Sequence, residues 1–303
     1  MQSFGKLGWI GLGAMGSRIA KRIRNAGYPL MVYDRDHLKA EELASQGAEP
    51  AASLMELAAG ADVIFSCLSD AAAIQSVYFG AGGVLGSAKP GSHIVEMTTV
   101  APETSLDLFR AGRERGIPVL DVAISGSTPA AESGSLTLFG GGDRPAFDSI
   151  APIFPAIARQ WFYMGPSGSG MAMKLVVNAI LGVGMQAIAE ALALGGQLGL
   201  ARDLLFDTLG KTAVVARAHL GKLATAKKND YTPQFPLRLM RKDFDLIVSK
   251  AAELRVEMPA TLVSAEHNAI ETADGGEEDF SAVIRLMEQL PEEHLKTSNS
   301  INK

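Results

Sequence analysis

The chain has 303 residues, 47% of them hydrophobic and 20% charged, with a formal net charge of −5. That length suits two domains, each burying its own core. The acidic balance argues against a nucleic-acid partner, because neutralising phosphate needs a basic patch. Cys67 is the single cysteine, which excludes an internal disulfide, and the five histidines show no metal-ligand spacing, so no metal is expected.

Residues 6–12 form a short apolar run that breaks into glycines, followed by an amphipathic segment to Asn25 that Ala26-Gly27 ends. Its Arg18, Lys21, Arg22 and Arg24 read as a solvated face. Residues 29–33 predict the next strand. The alternation continues with helix 38–46, strand 62–68, helix 71–79, strand 92–97, helix 102–115 and strand 117–122. Such alternation indicates a parallel sheet with helices on both faces, which segments 134–140 and 159–163 extend. Cys67 falls in one of the apolar strands, where a small buried thiol is the ordinary reading.

Beyond Gly165 the texture turns helical, with almost no strand candidates. A helix over 169–198 is unusually long and carries Gly182, Gly184, Ala187 and Ala189, which permit close packing. Lys174, Asn178, Gln186 and Glu190 interrupt its apolar run, so it reads as a buried helix bridging two domains rather than a membrane span. Further helices are expected near 202–210, 213–227, 238–254, 259–274 and 279–289, and the polar tail after Pro291 reads as frayed. The N-terminus places its apolar run before its basic residues, the reverse of signal-peptide order, which points to the cytoplasm. The expected architecture is α/β: a Rossmann-type doubly wound sheet over 1–165, an all-α domain over 166–290 joined by a long central helix, and a tail over 291–303.

The first glycine cluster is Gly11-Leu12-Gly13-Ala14-Met15-Gly16, between a strand and a helix. In that context Gly11 permits the tight turn, Gly13 leaves room for a pyrophosphate and Gly16 allows close helix–sheet packing, while the helix N-terminus faces the anion. Asp34 follows Gly16 by 18 residues, at the end of the second strand, where a carboxylate can bond ribose hydroxyls. Asp34 and Asp36 repel a 2′-phosphate, whereas Arg35 between them can reach one or stack on adenine. NAD(H) is favoured and NADP(H) is the alternative.

Lys174 and Asn178 stand a helical turn apart, just after the glycine-broken stretch 165–170, and share a face. A lysine near a helix start is electrostatically disfavoured, which hints at a purpose. Paired with a nicotinamide site, it suits proton transfer during hydride transfer, and its neighbours Met171, Met173 and Leu175 would desolvate it. A surface lysine and a packing asparagine are the plainer readings. Ser125, Gly126 and Ser127 follow a strand at the sheet's carboxyl end, where α/β enzymes bind ligands. Their amides and hydroxyls suit a substrate carboxylate, although an ordinary turn reads the same way.

Four segments together resemble the β-hydroxyacid dehydrogenase family: residues 11–16, 121–127, 168–178 and Lys242-Asp243, in family order and spacing. Within it, Leu68-Ser69-Asp70, Glu103-Thr104-Ser105, the 125–130 segment and Phe235-Pro236-Leu237 are most similar to the glyoxylate/succinic semialdehyde reductase branch. The family's usual Ser-Gly-Gly is Ser-Gly-Ser here, as in that branch; the branch's Asn-Arg-Thr is replaced by Asp34-Arg35-Asp36, against its NADP preference. The resemblance implies Lys174 as the proton donor and Ser125, Gly126, Ser127, Asn178, Phe235 and Asp243 as substrate contacts. Leu68, Ser69, Thr99 and Lys242 would join the glycine loop at the cofactor. Thr99 could equally cap a helix, Phe235 belong to the core, and Lys242 be solvated. The implied activity is reduction of a small carboxylated aldehyde. Oxidation of 3-hydroxyisobutyrate or a similar hydroxyacid is the alternative, and a non-catalytic dinucleotide-binding module is the reading from another class. No nucleic-acid or membrane partner is expected. The small-residue-rich central helix suggests a homodimer or homotetramer.

Overall fold

The computed structural model describes residues 5–290; the polar tail after Pro291 and the first four residues lie outside them. In chain order the first part comprises β1 (Leu7–Ile10), α1 (Gly16–Asn25), β2 (Leu30–Tyr33), α2 (His37–Ala44), β3 (Glu49–Pro50), α3 (Leu54–Gly60), β4 (Val63–Ser66) and α4 (Ala71–Ile74). It continues with α5 (Val84–Ser87), β5 (His93–Glu96), α6 (Pro102–Arg113), β6 (Val119–Ser125), α7 (Thr128–Ser133), β7 (Leu136–Gly141), α8 (Arg144–Ile150) and β8 (Ala158–Gly165). All eight strands form one sheet in the order β3-β2-β1-β4-β5-β6-β7-β8. Every residue of β1 and β4 is buried, as expected of parallel strands covered on both faces. The order reverses beside β1, so the carboxyl ends of β1 and β4 open a crevice of the kind in which doubly wound sheets bind ligands.

The sheet is mixed rather than wholly parallel: β7 runs antiparallel to β6, with Asp121 opposite Gly141 and Ser125 opposite Thr137. The connection over residues 126–135 holds only the short α7. That is too little chain for a crossover, which takes a dozen residues or more, so the strand returns alongside. Helices α3, α5, α7 and α8 were not anticipated because four to seven residues are too few to show a helical period. A local signal for α3 does exist: the Ser53 hydroxyl accepts the Glu56 amide at 3.1 Å, and the Glu56 carboxylate accepts the Ala52 amide at 2.7 Å. The expected helix 71–79 splits into α4 and a π-helical turn over Gln75–Phe79.

The second part is helical: α9 (Ser169–Gln197), α10 (Arg202–Leu209), α11 (Arg217–Ala226), α12 (Leu237–Leu254) and α13 (Pro259–Gly275), then a turn over Phe280–Ala282 leading into helical residues 283–290. The chain divides into two compact units between Lys174 and Leu175, inside α9. Trp9, Phe65, Val95, Leu120 and Phe154 are central to the core of the first unit; Met185, Phe206, Met240, Phe244 and Phe280 are central to that of the second. By length and composition α9 could cross a membrane. Against that, its Asn178 and Gln186 are buried and hydrogen-bonded to Asp243, and to Glu190 and His267, respectively.

The first turn of α9 meets the sheet with no space to spare. A Cβ on Gly170 would lie 2.5 Å from the carbonyl oxygens of both Asp121 and Phe139. Gly170→Ala is expected to cost about 1–3 kcal/mol in denaturant unfolding, the usual range for overpacking. Gly196→Ala, where a Cβ meets nothing within 4 Å, should be neutral or slightly stabilising.

Candidate active site

The loop between β1 and α1 has the form a pyrophosphate requires. Gly11 has φ +92° and its Cβ would lie 2.3 Å from the Cys67 carbonyl oxygen, while a Cβ on Gly16 would lie 2.0 Å from that of Gly11. Neither position tolerates a side chain. Gly13, in contrast, is exposed and a Cβ there would meet nothing, so the mouth of the loop is open. Ala14 is exposed, Met15 half-buried and Leu12 buried in the core. No side chain caps α1 and no acid lies in its first turn, which leaves its amides and dipole for an anion. Cys67, read as a buried thiol, is only half-buried, because it has already left β4 for the loop beside Gly11.

Asp34 lies just past β2 and is 9% exposed. One carboxylate oxygen accepts the Leu12 amide at 2.6 Å and the other the Asp36 amide at 2.9 Å. It therefore ties the glycine loop to the end of β2, a role the sequence reading missed, and each oxygen keeps a lone pair for a ribose hydroxyl. Arg35 is exposed, and Asp36 caps α2 by accepting the Leu38 amide at 3.3 Å.

The loops after β4 and β5 carry Leu68, Ser69 and Thr99. Leu68 and Thr99 are half-buried and Ser69 is exposed. Thr99 does not cap α6, whose capping position is Ala101 ahead of Pro102. Its neighbour Thr98 is the anchor: the Thr98 hydroxyl accepts the Leu68 amide at 2.7 Å, and the Thr98 amide donates to Glu96 at 2.6 Å. Neither Thr98 nor Glu96 was singled out from sequence, where both look like ordinary strand-end residues.

Ser125 ends β6 and, with Gly126 and Ser127, turns into α7; both serines are half-buried and Gly126 is exposed. Four residues earlier, Asp121 is 2% exposed and reaches the start of α9. Its oxygens accept the Gly168 amide at 2.8 Å and the Met171 amide at 3.0 Å. Gly141 opposite makes room for it, since a Cβ there would lie 2.6 Å from the carboxylate. Lys174, one turn into this clamped helix, is 9% exposed.

In the second unit, Asn178 and Asp243 are buried together, with the Asn178 amide donating to Asp243 at 2.5 Å. The other Asp243 oxygen lies 3.2 Å from the Lys242 ammonium, an ion pair without hydrogen-bond alignment. Asn178 Oδ1 has no hydrogen-bond partner among the described residues. Phe235 is half-buried, its ring edge-on to Phe280 at 5.7 Å, and its amide donates to Asp279 at 3.0 Å. Asp279 also accepts the buried Lys222 ammonium at 2.6 Å.

Within the first unit, then, the structure gathers the glycine loop, Asp34 and its neighbour Arg35, Leu68, Ser69, Thr99 and the 125–127 turn at the carboxyl ends of β1, β2, β4, β5 and β6. Asn178, Lys242, Asp243 and Phe235 belong to the second unit.

Residues 6–165 match the family model described as the NAD binding domain of 6-phosphogluconate dehydrogenase, and residues 168–287 match that of the NAD-binding domain of NADP-dependent 3-hydroxyisobutyrate dehydrogenase. The chain is 33% identical to 2-(hydroxymethyl)glutarate dehydrogenase of Eubacterium barkeri, covering 94% of this chain and 95% of that protein. It is 34% identical to glyoxylate/succinic semialdehyde reductase 1 of Arabidopsis thaliana, over 93% and 98%. The solved structure of a 3-hydroxyisobutyrate dehydrogenase from Salmonella typhimurium superposes with a TM-score of 0.85 at 27% identity, over 93% of this chain and 99% of that one.

Burial pushes the Asp121 carboxyl up to about 6, and the hydrogen bonds from Gly168 and Met171 pull it back only in part. Because this exceeds the unfolded value of 3.8, the native state holds the proton more tightly. The resulting stabilisation is complete below about pH 4 and is lost as pH rises through about 6. Wild type is therefore expected to gain on the order of 2–3 kcal/mol over Asp121→Asn between pH 7 and pH 4, measured by denaturant unfolding. A constant gap would mean that the carboxyl titrates as in a free chain.

Proposed function

The chain belongs to the β-hydroxyacid dehydrogenase family, and from that premise we propose that it reduces a small carboxylated aldehyde, of the glyoxylate or succinic semialdehyde kind, to the hydroxyacid. It is an NAD(P)-dependent oxidoreductase. The observation that carries the proposal is the burial of Lys174, 9% exposed on the clamped first turns of α9. An ordinary lysine at a helix start would be solvated.

When bound, the reduced nicotinamide supplies the hydride to the carbonyl carbon. The glycine loop and the α1 N-terminus hold the pyrophosphate, and Asp34 holds the ribose. Ser125, Gly126 and Ser127 bind the substrate carboxylate through their amides and hydroxyls. Lys174 gives its proton to the carbonyl oxygen as negative charge develops there, and takes it back in the oxidative direction. Asn178, on the same helix face, has an amide oxygen without a hydrogen-bond partner among the described residues, ready to accept from the lysine or from the product hydroxyl. Asp243 and Lys242 orient that amide, and Phe235 shapes the apolar side of the substrate site. For the cofactor, the carboxylates of Asp34 and Asp36 outweigh Arg35, in favour of NAD(H).

A second reading, oxidation of 3-hydroxyisobutyrate or a related β-hydroxyacid, is favoured by the family model over residues 168–287. The same residues serve it in reverse.

Initial rates with NADH and NADPH against glyoxylate, succinic semialdehyde and tartronate semialdehyde, and with NAD and NADP against 3-hydroxyisobutyrate, decide substrate, direction and cofactor together. The proposal expects the highest kcat/KM with NADH and one of the first two aldehydes. Lys174→Ala should lower kcat by on the order of 10²–10⁴ while leaving the Kd for cofactor nearly unchanged. Unaltered turnover would remove Lys174 from the mechanism. We also propose a homo-oligomer, because the second unit leaves Val176, Ile180, Leu194, Leu204 and Val214 at least half exposed. Light scattering is expected to give twice or four times the monomer mass.

A further inference from the structure

Beneath the loops that leave β4 and β5 lies a cluster of polar side chains that the chemistry above does not use. Ser66, Tyr78, Glu96 and Thr98 are each at most 2% exposed. Glu96, the last residue of β5, accepts the Ser66 hydroxyl on one oxygen and the Thr98 amide on the other. The Thr98 hydroxyl also bonds to this carboxylate, as does the hydroxyl of Tyr78, which bonds to Ser66 as well. Tyr78 is delivered by the π-helical turn Gln75–Phe79, a backbone form that recurs at functional sites.

With Glu96 ionised, the protons of Ser66 and Thr98 both point at its carboxylate. The Tyr78 hydroxyl bonds to both Ser66 and Glu96, and Thr98 Oγ1 accepts from the Leu68 amide at 2.7 Å. One acid thus sets the direction of the Ser66 and Thr98 hydroxyl bonds, and the Thr98 branch ends on the backbone of the loop after β4. A buried carboxylate is costly to desolvate, and apolar side chains would fill the same space without that cost. What the acid supplies is the orientation of two loops.

We propose that Glu96, acting through Thr98, is a positioning residue for the nicotinamide half of the cofactor site, holding Leu68 and Ser69 on one side and Thr99 on the other. This rests on the reading of those three residues as cofactor contacts. Glu96→Gln keeps the shape but puts an N–H donor against Ser66 or Thr98; Thr98→Val keeps the volume and leaves the Leu68 amide without its acceptor; Thr98→Ser retains the hydroxyl.

ADP-ribose contains the adenosine and pyrophosphate of NADH but no nicotinamide, so it separates the two halves of the site. Calorimetric titration of the full chain with NADH and with ADP-ribose is the test; the 2′-phosphorylated pair replaces them if wild type prefers NADPH. The Kd for the reduced dinucleotide is expected to rise roughly tenfold in Glu96→Gln and Thr98→Val, the effect of a buried donor or acceptor left unmade. The Kd for ADP-ribose should stay within about twofold of wild type, and Thr98→Ser should restore dinucleotide binding. Should Glu96→Gln fail to fold, the two Thr98 variants decide the matter. Equal weakening of both ligands, or no change in either, overturns the positioning role. If wild type itself binds NADH no more tightly than ADP-ribose, the assignment of the loops to the nicotinamide falls instead.

Discussion

The attachment of the Asp121 carboxylate to the amides of Gly168 and Met171 is the constraint on which the candidate chemistry depends. It joins the interior of the sheet to the first turn of α9, and Lys174 stands one turn further along. A cation there meets the positive end of the helix dipole; a carboxylate at the same end offsets it. The position is expensive for the acid as well, since burial raises its pKa to about 6 despite the amides around it. Gly141 and Gly170 are the space into which the carboxylate and the helix fit, as a Cβ on either would strike the Asp121 carboxylate.

The same device recurs. Asp34 accepts the Leu12 and Asp36 amides and so joins the glycine loop to β2. Glu96 accepts the Thr98 amide and, through the Thr98 hydroxyl, governs Leu68. In the second unit Asp279 takes the amides of Gln234 and Phe235 and the Lys222 ammonium, while Asp243 takes the Asn178 amide. In each case a buried acid holds a loop, a helix start or a side chain of the candidate site. Asp121, Asp34, Glu96 and Asp279 each take two or more charge-assisted bonds, and these fix backbone position more strictly than apolar packing, which leaves a loop free to slide.

Much of this was legible in the chain. Gly11, Gly13 and Gly16 between an apolar run and an amphipathic one place a strand, turn and helix without further information, and the structure returns them as β1, the loop and α1. The long helix was read as 169–198 and is found at Ser169–Gln197, because its apolar period and flanking glycines are local signals. The acids that hold the site were harder to see. Asp121 enters from sequence only as the start of the 121–127 segment, and Glu96 and Thr98 carry no local signal of their own. Their partners lie 47 residues on, at Gly168, and 30 residues back, at Ser66 and Leu68, and no spacing rule joins them. The direction of β7 escaped for a related reason: a strand's apolar pattern is the same whichever way it runs, and only the length of the preceding connection limits it.

By itself, the sequence determined the longer strands and helices in their order and the dinucleotide loop, and it singled out Lys174 as a candidate proton donor, because these follow from periodicity, glycine placement and side-chain chemistry within a few turns of chain. The tertiary structure alone decided which buried carboxylates hold those residues, that Thr98 rather than Thr99 anchors the loop beside Leu68, and that Lys174 is withdrawn from water. Hydrogen bonds across strands depend on register and sheet order, and burial depends on what packs above, so neither is encoded within the window in which a sequence can be read locally.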